Sequence, residues 1–249
     1  LKSLTNIFIA VAVIFVLIVS LFNSDDSETQ LTQIPIPVAT PSEQSTLDAD
    51  TGQEDSKQKK SSPALRALAN LPIRGRAPKT GYSREMFADD WDYSFGCDTR
   101  NRILRRDLVQ YSYRSDSSCI IERGVLEDPF TGQTINFQRG VRTSLEVQID
   151  HVVSLSDAWQ KGAQSISSYQ RYLFYNDPLN LLAVYGPANS QKSDSDAASW
   201  LPSNTSFRCA FVARQLAVKL KYGLSATQAE HDTMGRVLSD CPKQKLPTG

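Results

Sequence analysis

Apolar and polar residues divide the chain into three regimes. Residues 7–22 (IFIAVAVIFVLIVSLF) are apolar throughout except for Ser20. Residues 23–62 are almost wholly polar with scattered prolines, and hold too few apolar side chains to offset the entropy of ordering them. That tract predicts a flexible stalk. From residue 63 to 249 the pattern is that of a folded domain, long enough to bury a core. Ser62-Pro63 is a helix start, a serine cap with proline at the first helical position, and Leu65, Leu68 and Leu71 share a face behind it. Helical stretches are predicted around 84–91 and 100–110. Short strands follow at 119–126 and 134–138, with Asp128-Pro129 and Thr131-Gly132 marking the turn between them. Residues 144–153 and 179–185 read as further strands. Helices are predicted over 156–175, 187–199, 206–222 and 225–240, the last two parted by Gly223. Together these elements predict an α+β fold, mostly helical, with a small β-hairpin at its centre.

The apolar run has Lys2 before it and acids after it, an asymmetry that keeps the N-terminus inside and translocates the rest. The run is short for a spanning helix and long for a signal-peptide core, and no clear small-x-small cleavage site follows. An uncleaved signal anchor and a cleaved signal peptide over residues 1–22 both fit, the anchor slightly better. Either puts the domain outside the cytoplasm, secreted or held at the cell surface through a membrane contact of residues 7–22. Four cysteines in a translocated chain predict two disulfides. Chain order pairs Cys97 with Cys119 and Cys209 with Cys241. Folding 206–222 and 225–240 back as a helical hairpin also brings the second pair together. A zinc site is the rival reading, unsupported by any CxxC or CxxH spacing. The formal net charge of zero conceals a split. Residues 1–62 hold four lysines against eight acids, which leaves the domain 23 basic and 19 acidic residues, a net of +4. That balance permits nucleic-acid binding without requiring it.

Only two histidines are present. His151 follows Asp150 at the end of an apolar strand in VQIDHVVSL, and imidazole is the usual group for moving a proton near neutral pH. Asn180 stands at the entry of the second strand. Asn189 and Lys192 lie in the first turns of the helix after it. Taken singly, each has a structural explanation: a turn-capping asparagine, a polar helix start. Their order carries the signal, namely a strand with Asp-His, a strand with Asn, and a helix with Asn-x-x-Lys. The pattern DHVVSL…NDPLNLLAV…ANSQKSD…WLP resembles the HNH endonucleases, particularly a family of exported bacterial HNH proteins. GYSREMF…W…CDTRNRILRRDL (81–108), DPFTG (128–132) and RCAFVARQLAVKLKYGL (208–224) extend the resemblance over about residues 80–241.

The resemblance implies a central ββα-metal motif. It implies Asp150 as the first-strand metal ligand, His151 as general base, and Asn180 as the residue that shapes the histidine loop. Asn189 is implied to complete the metal site, and Lys192 to stand near the scissile phosphate. Ser154 replaces the proline usual three residues after the histidine, which implies altered loop rigidity and not lost chemistry. Two oxygen ligands plus waters suit Mg²⁺, with Mn²⁺ as second candidate. Arg139 and Arg142 are expected to extend the grip along a phosphate backbone. The implied activity is metal-dependent hydrolysis of nucleic acid, DNA first and RNA second. One alternative is a non-catalytic extracytoplasmic nucleic-acid-binding module that keeps the fold; the joint presence of Asp150, His151, Asn180 and Asn189 argues against it. Another is a toxin-like effector, for which no delivery domain is visible. His231 reads as a surface residue, Trp91, Trp159 and Trp200 as packing, Asp98 of CDTRN as a helix cap, and Ser225-x-x-Gln228 as a capping box.

Overall fold

The computed structural model describes residues 61–248 with the exception of Arg142. The apolar run, the polar tract to residue 60 and Arg142 lie outside those residues. Among the described residues no helix is long and apolar enough to cross a membrane.

Helix α1 (Pro63–Leu68) begins with Ser62 Oγ accepting the Leu65 N–H at 3.1 Å. The stretch around 84–91 is only a single 3-10 turn, Arg84–Met86. A short hairpin follows, β1 (Tyr93–Ser94) and β2 (Cys97–Asp98). Asp98 caps α2 (Thr99–Asp107), its carboxylate accepting from Asn101 N at 2.7 Å. The predicted helix to residue 110 stops short because the chain is needed as a strand. Asp107 accepts the Ala183 N–H of a neighbouring strand at 2.8 Å, and Gln110 turns to φ 49°. Strands β3 (Val109–Tyr113), β4 (Ile121–Glu127) and β5 (Thr134–Gln138) then form an antiparallel sheet in that order.

The central hairpin pairs β6 (Val147–His151) with β7 (Leu181–Tyr185) antiparallel, Asp150 opposite Leu182 and His151 opposite Leu181. Both its faces are covered. Val147, Leu181 and Ala183 pack with Ile103, Ile121 and Phe137, while Leu182 and Val184 pack with Phe130, Phe211 and Leu216. A strand buried on both faces reads as a continuous apolar run, which is why LLAV shows no alternation. Between these strands, α3 (Leu155–Gln160) and α4 (Ser168–Asn176) replace one expected helix, broken where Gly162 takes φ 126°. Helix α5 (Gly186–Lys192) starts directly off β7 and ends at Ser193, whose φ is 50°.

Helices α6 (Arg208–Lys221) and α7 (Gln228–Ser239) form a hairpin around Gly223 and pack on α1. Thr227, not Ser225, caps α7, its hydroxyl accepting from Glu230 N at 3.2 Å. Ala226 bridges in parallel to Ile73, which keeps the chain extended up to that point. The disulfides are Cys97–Cys119 and Cys209–Cys241, and no cysteine is free for a metal.

A cluster of six buried or half-buried charges sits among the helices. Lys161 Nζ lies 2.7 Å from Asp157, 2.7 Å from Asp196 and 2.6 Å from Glu230. Lys219 reaches Asp157 and Glu230 at 3.2 and 2.9 Å, and Arg76 reaches Asp157 and Asp196 at 2.9 and 2.8 Å. Three cations thus face three carboxylates.

Candidate active site

The end of β6 and the first turns of α5 open onto one cleft of about 540 Å³, where Asp150, His151 and Asn189 share the wall with Arg84, Ser156 and Asp194. His151 is packed from two sides. Trp91 stacks on its ring at 5.7 Å with planes 10° apart, and the Tyr175 ring lies 4.9 Å away. Nε2 is 2.9 Å from the Tyr175 carbonyl oxygen. A carbonyl only accepts, so Nε2 carries the proton and Nδ1 keeps its lone pair. Burial pushes the imidazole down to about 3, against the pull of the Tyr175 carbonyl and with help from the nearby charges of Arg84 and Lys192. The ring is therefore neutral at physiological pH.

Asn180 is fully buried and bonds the loop beyond the histidine twice. Its Oδ1 accepts from Val153 N at 2.9 Å and its Nδ2 donates to Val153 O at 3.2 Å. Its own carbonyl accepts from Val152 N at 2.8 Å. Ser154, the departure from the resembled pattern, caps α3 by accepting from Asp157 N at 3.2 Å. A hydroxyl there fixes the end of the loop by a hydrogen bond where proline would fix it by its ring.

Asp150 Oδ1 accepts from Lys192 Nζ at 2.9 Å, while its buried Oδ2 has no hydrogen-bond partner among the described residues. Burial holds this carboxyl above the ordinary carboxylate range even with the Lys192 ammonium beside it. Lys192 is 0% exposed and also donates to His151 O at 2.9 Å. Its amine lies beneath the site and braces Asp150 and the histidine main chain. The expected direct approach to a phosphate is not what this placement provides. Asn189 Nδ2 donates to Gln148 Oε1 at 2.9 Å, leaving the side-chain carbonyl oxygen without a hydrogen bond among the described residues.

Arg139 is committed away from the cleft. Its Nε donates to Ile121 O and its Nη2 to Asn101 Oδ1, both at 2.7 Å, and it does not line the cleft. Asn101 also accepts from Ile121 N at 3.0 Å, and Arg100 donates to Val147 O at 3.0 Å. CDTRN thus ties α2 to β4 and β6.

Arg84 of the cleft, and Tyr175 and Trp91 that pack on His151 behind it, carry no sequence signal of their own. Tyr175 acts through a main-chain carbonyl and a ring, neither of which leaves a motif. Trp91 reads as packing and does pack, but against the histidine. Arg84 sits in GYSREMF, a segment that stood out only by resemblance. Among the described residues no three His, Cys, Asp or Glu side chains converge to hold a metal.

The model of the family described as GmrSD restriction endonucleases, C-terminal domain, matches residues 98–237, more than half of the chain. The chain belongs to this family. Its folded part is a nuclease-type domain, and a nuclease takes nucleic acid as substrate. A protein named as an uncharacterized secreted protein of Arthroderma benhamiae is 36% identical over 182 residues, covering 72% of this chain and 85% of that protein. In this GmrSD-type domain Asp150, His151, Asn180, Asn189 and Lys192 lie inside the matched span, whereas Arg84 and Trp91 precede it.

Proposed function

We propose that this protein is a divalent-metal-dependent endonuclease of the ββα-metal (HNH) type that hydrolyses phosphodiester bonds of nucleic acid, DNA foremost. The observation that carries this reading is convergence: the adjacent pair Asp150 and His151 meets Asn189, distant in sequence, in one cleft on a hairpin and its following helix. His151 Nδ1 takes the proton of a water as that water attacks phosphorus. The Tyr175 carbonyl keeps the tautomer, and Trp91 and Asn180 hold the ring and loop in place, so orientation needs no rearrangement during reaction. As the new P–O bond forms, the bond to the 3′ oxygen breaks, and that oxygen takes a proton from solvent.

The donor set fits a hard cation. Asp150 Oδ2 is a buried carboxylate oxygen lacking a partner, and the Asn189 carbonyl oxygen is also uncommitted. These two oxygens with waters would hold Mg²⁺, and Mn²⁺ suits them as well. When bound, such an ion neutralises charge on the phosphate and the departing oxygen. Lys192 serves as a positioning residue for Asp150. The relative's printed name, together with two disulfides, supports an extracytoplasmic location. A membrane contact through residues 7–22 rests on their hydropathy alone.

The full chain, incubated with plasmid DNA and Mg²⁺, is expected to nick it. EDTA should abolish the reaction, and His151→Ala should do the same; the variant should melt below the wild type, since His151 is packed between Trp91 and Tyr175, but stay folded at the assay temperature. No cleavage by the unmodified protein with Mg²⁺ or Mn²⁺ would leave only a binding module on this fold.

A further inference from the structure

Phosphodiester binding needs cationic groups that face the substrate and are not already neutralised. The cations nominated from sequence do not meet that need within the described residues. Lys192 is sealed under Asp150, and Arg139 is tied to Ile121 and Asn101. Among the described residues two cations line the cleft, Lys79 and Arg84. Lys79 lies 3.3 Å from the Asp194 carboxylate, which offsets its charge. Arg84 has no carboxylate within ion-pair distance among the described residues.

Arg84 is also held in place. Its guanidinium lies 4.9 Å over the Tyr175 ring, and Nη2 donates to the Tyr175 hydroxyl at 2.8 Å. The same tyrosine accepts from His151 Nε2 through its main-chain carbonyl. One residue therefore sets the position of the cation and of the imidazole relative to each other. The turn that carries Arg84 is itself anchored, with Arg171 Nε donating to Met86 O at 2.7 Å. One of the five guanidinium N–H groups is engaged by Tyr175, and the others have no hydrogen bond among the described residues. A planar fork fixed at one corner is suited to paired contacts with phosphate oxygens.

We infer that Arg84 is the phosphate-contacting residue of the cleft, gripping, on substrate supplied as DNA, the phosphodiester attacked by the water that His151 deprotonates. This inference rests on the nuclease reading above and adds to it a residue upstream of the family-matched span. It also separates two kinds of basic residue in this domain: those that brace the site from below, and one that faces the substrate.

The test uses the full chain. In a His151→Ala background with EDTA present, affinity for a short DNA duplex is measured across a salt series. Arg84→Ala should weaken binding and lower the slope of log affinity against log salt by about one, the loss of one phosphate contact. In the His151 enzyme with Mg²⁺, Arg84→Ala should reduce kcat/KM by about 100-fold. Arg84→Lys should keep the salt slope and fall between wild type and alanine in kcat/KM, which keeps the test decisive if the alanine variant melts early. Tyr175→Phe removes the hydroxyl tether without changing charge, and its salt slope should match that of wild type. Arg84 is demoted to a brace for Tyr175 if Tyr175→Phe lowers the salt slope as far as alanine does, or if alanine leaves the slope unchanged. Absence of any metal-dependent cleavage by the unmodified chain would instead remove the nuclease reading and this inference together.

Discussion

Asp150 and Lys192 are a buried pair in which one oxygen of the carboxylate is served and the other is not. Removing one partner of such a pair costs more than the pair contributes, because the remaining charge stays buried and uncompensated. Lys192→Met should therefore lower the unfolding free energy by about 3–5 kcal/mol in EDTA, read from urea denaturation. Added Mg²⁺ should return part of that loss, since a ligand that binds only the folded chain stabilises it by mass action. A denaturation midpoint that does not move with Mg²⁺, in the wild type or the variant, would speak against a divalent ion at Asp150. The same pair shows what a sequence conceals at this scale. A lysine in the second turn of a polar helix reads as exposed, and only the packing of α5 against β6 turns it inward. Asn180 is legible only through the family resemblance, since taken alone it reads as a turn cap; in the fold its buried amide satisfies its polar atoms on Val153.

The β6–β7–α5 unit is the element that presents the site, and its tightest point is the corner at Gly186. A Cβ there would meet Leu145 O at 2.0 Å and Gln148 Nε2 at 3.0 Å. Neither backbone can move freely, since Gly186 N donates to Glu146 O at 2.8 Å. Gly186→Ala should cost about 1–3 kcal/mol by forcing the helix off the hairpin. Because Asn189 rides on that helix, kcat should fall as well, in parallel chemical-denaturation and cleavage assays. A variant with wild-type stability and turnover would show that α5 can shift without consequence. Both strands of this unit, its helix and both disulfide pairings were legible from apolar runs, turn signals and chain order. The β1–β2 hairpin and β3 were not. Two-residue strands carry no periodicity, and RNRILRRDLVQ keeps a helical pattern past the point where Asp107 is drawn to the Ala183 N–H. The break at Gly162 and the early end of α5 are set by tertiary packing, which local propensity does not register.

Across the whole domain, the charge cluster of Arg76, Lys161, Lys219, Asp157, Asp196 and Glu230 links the segment after α1 to α3, α6, α7 and the segment after α5. The site depends on it indirectly. Asp157 lies in the helix that Ser154 caps at the end of the histidine loop, and Asp196 lies two residues beyond Asp194 of the cleft wall. Asp196 is a carboxylate of this cluster held well below the ordinary range. Burial raises its carboxyl, but the hydrogen bond and charge of Lys161, the charge of Arg76 and the Ser199 hydroxyl outweigh that and bring it down to about 2 from 3.8. A folded-state value below the unfolded one stabilises the fold above the unfolded value, and that stability is lost as pH falls through the folded one. The contribution should be fully present above about pH 4 and disappear toward pH 2, amounting to on the order of 2 kcal/mol. Asp196→Asn should thus be less stable than wild type near neutral pH, yet lose less on acidification over that window. Urea unfolding of the two proteins at a series of acidic pH values gives the comparison, and parallel curves would exclude Asp196 as a source of the acid sensitivity.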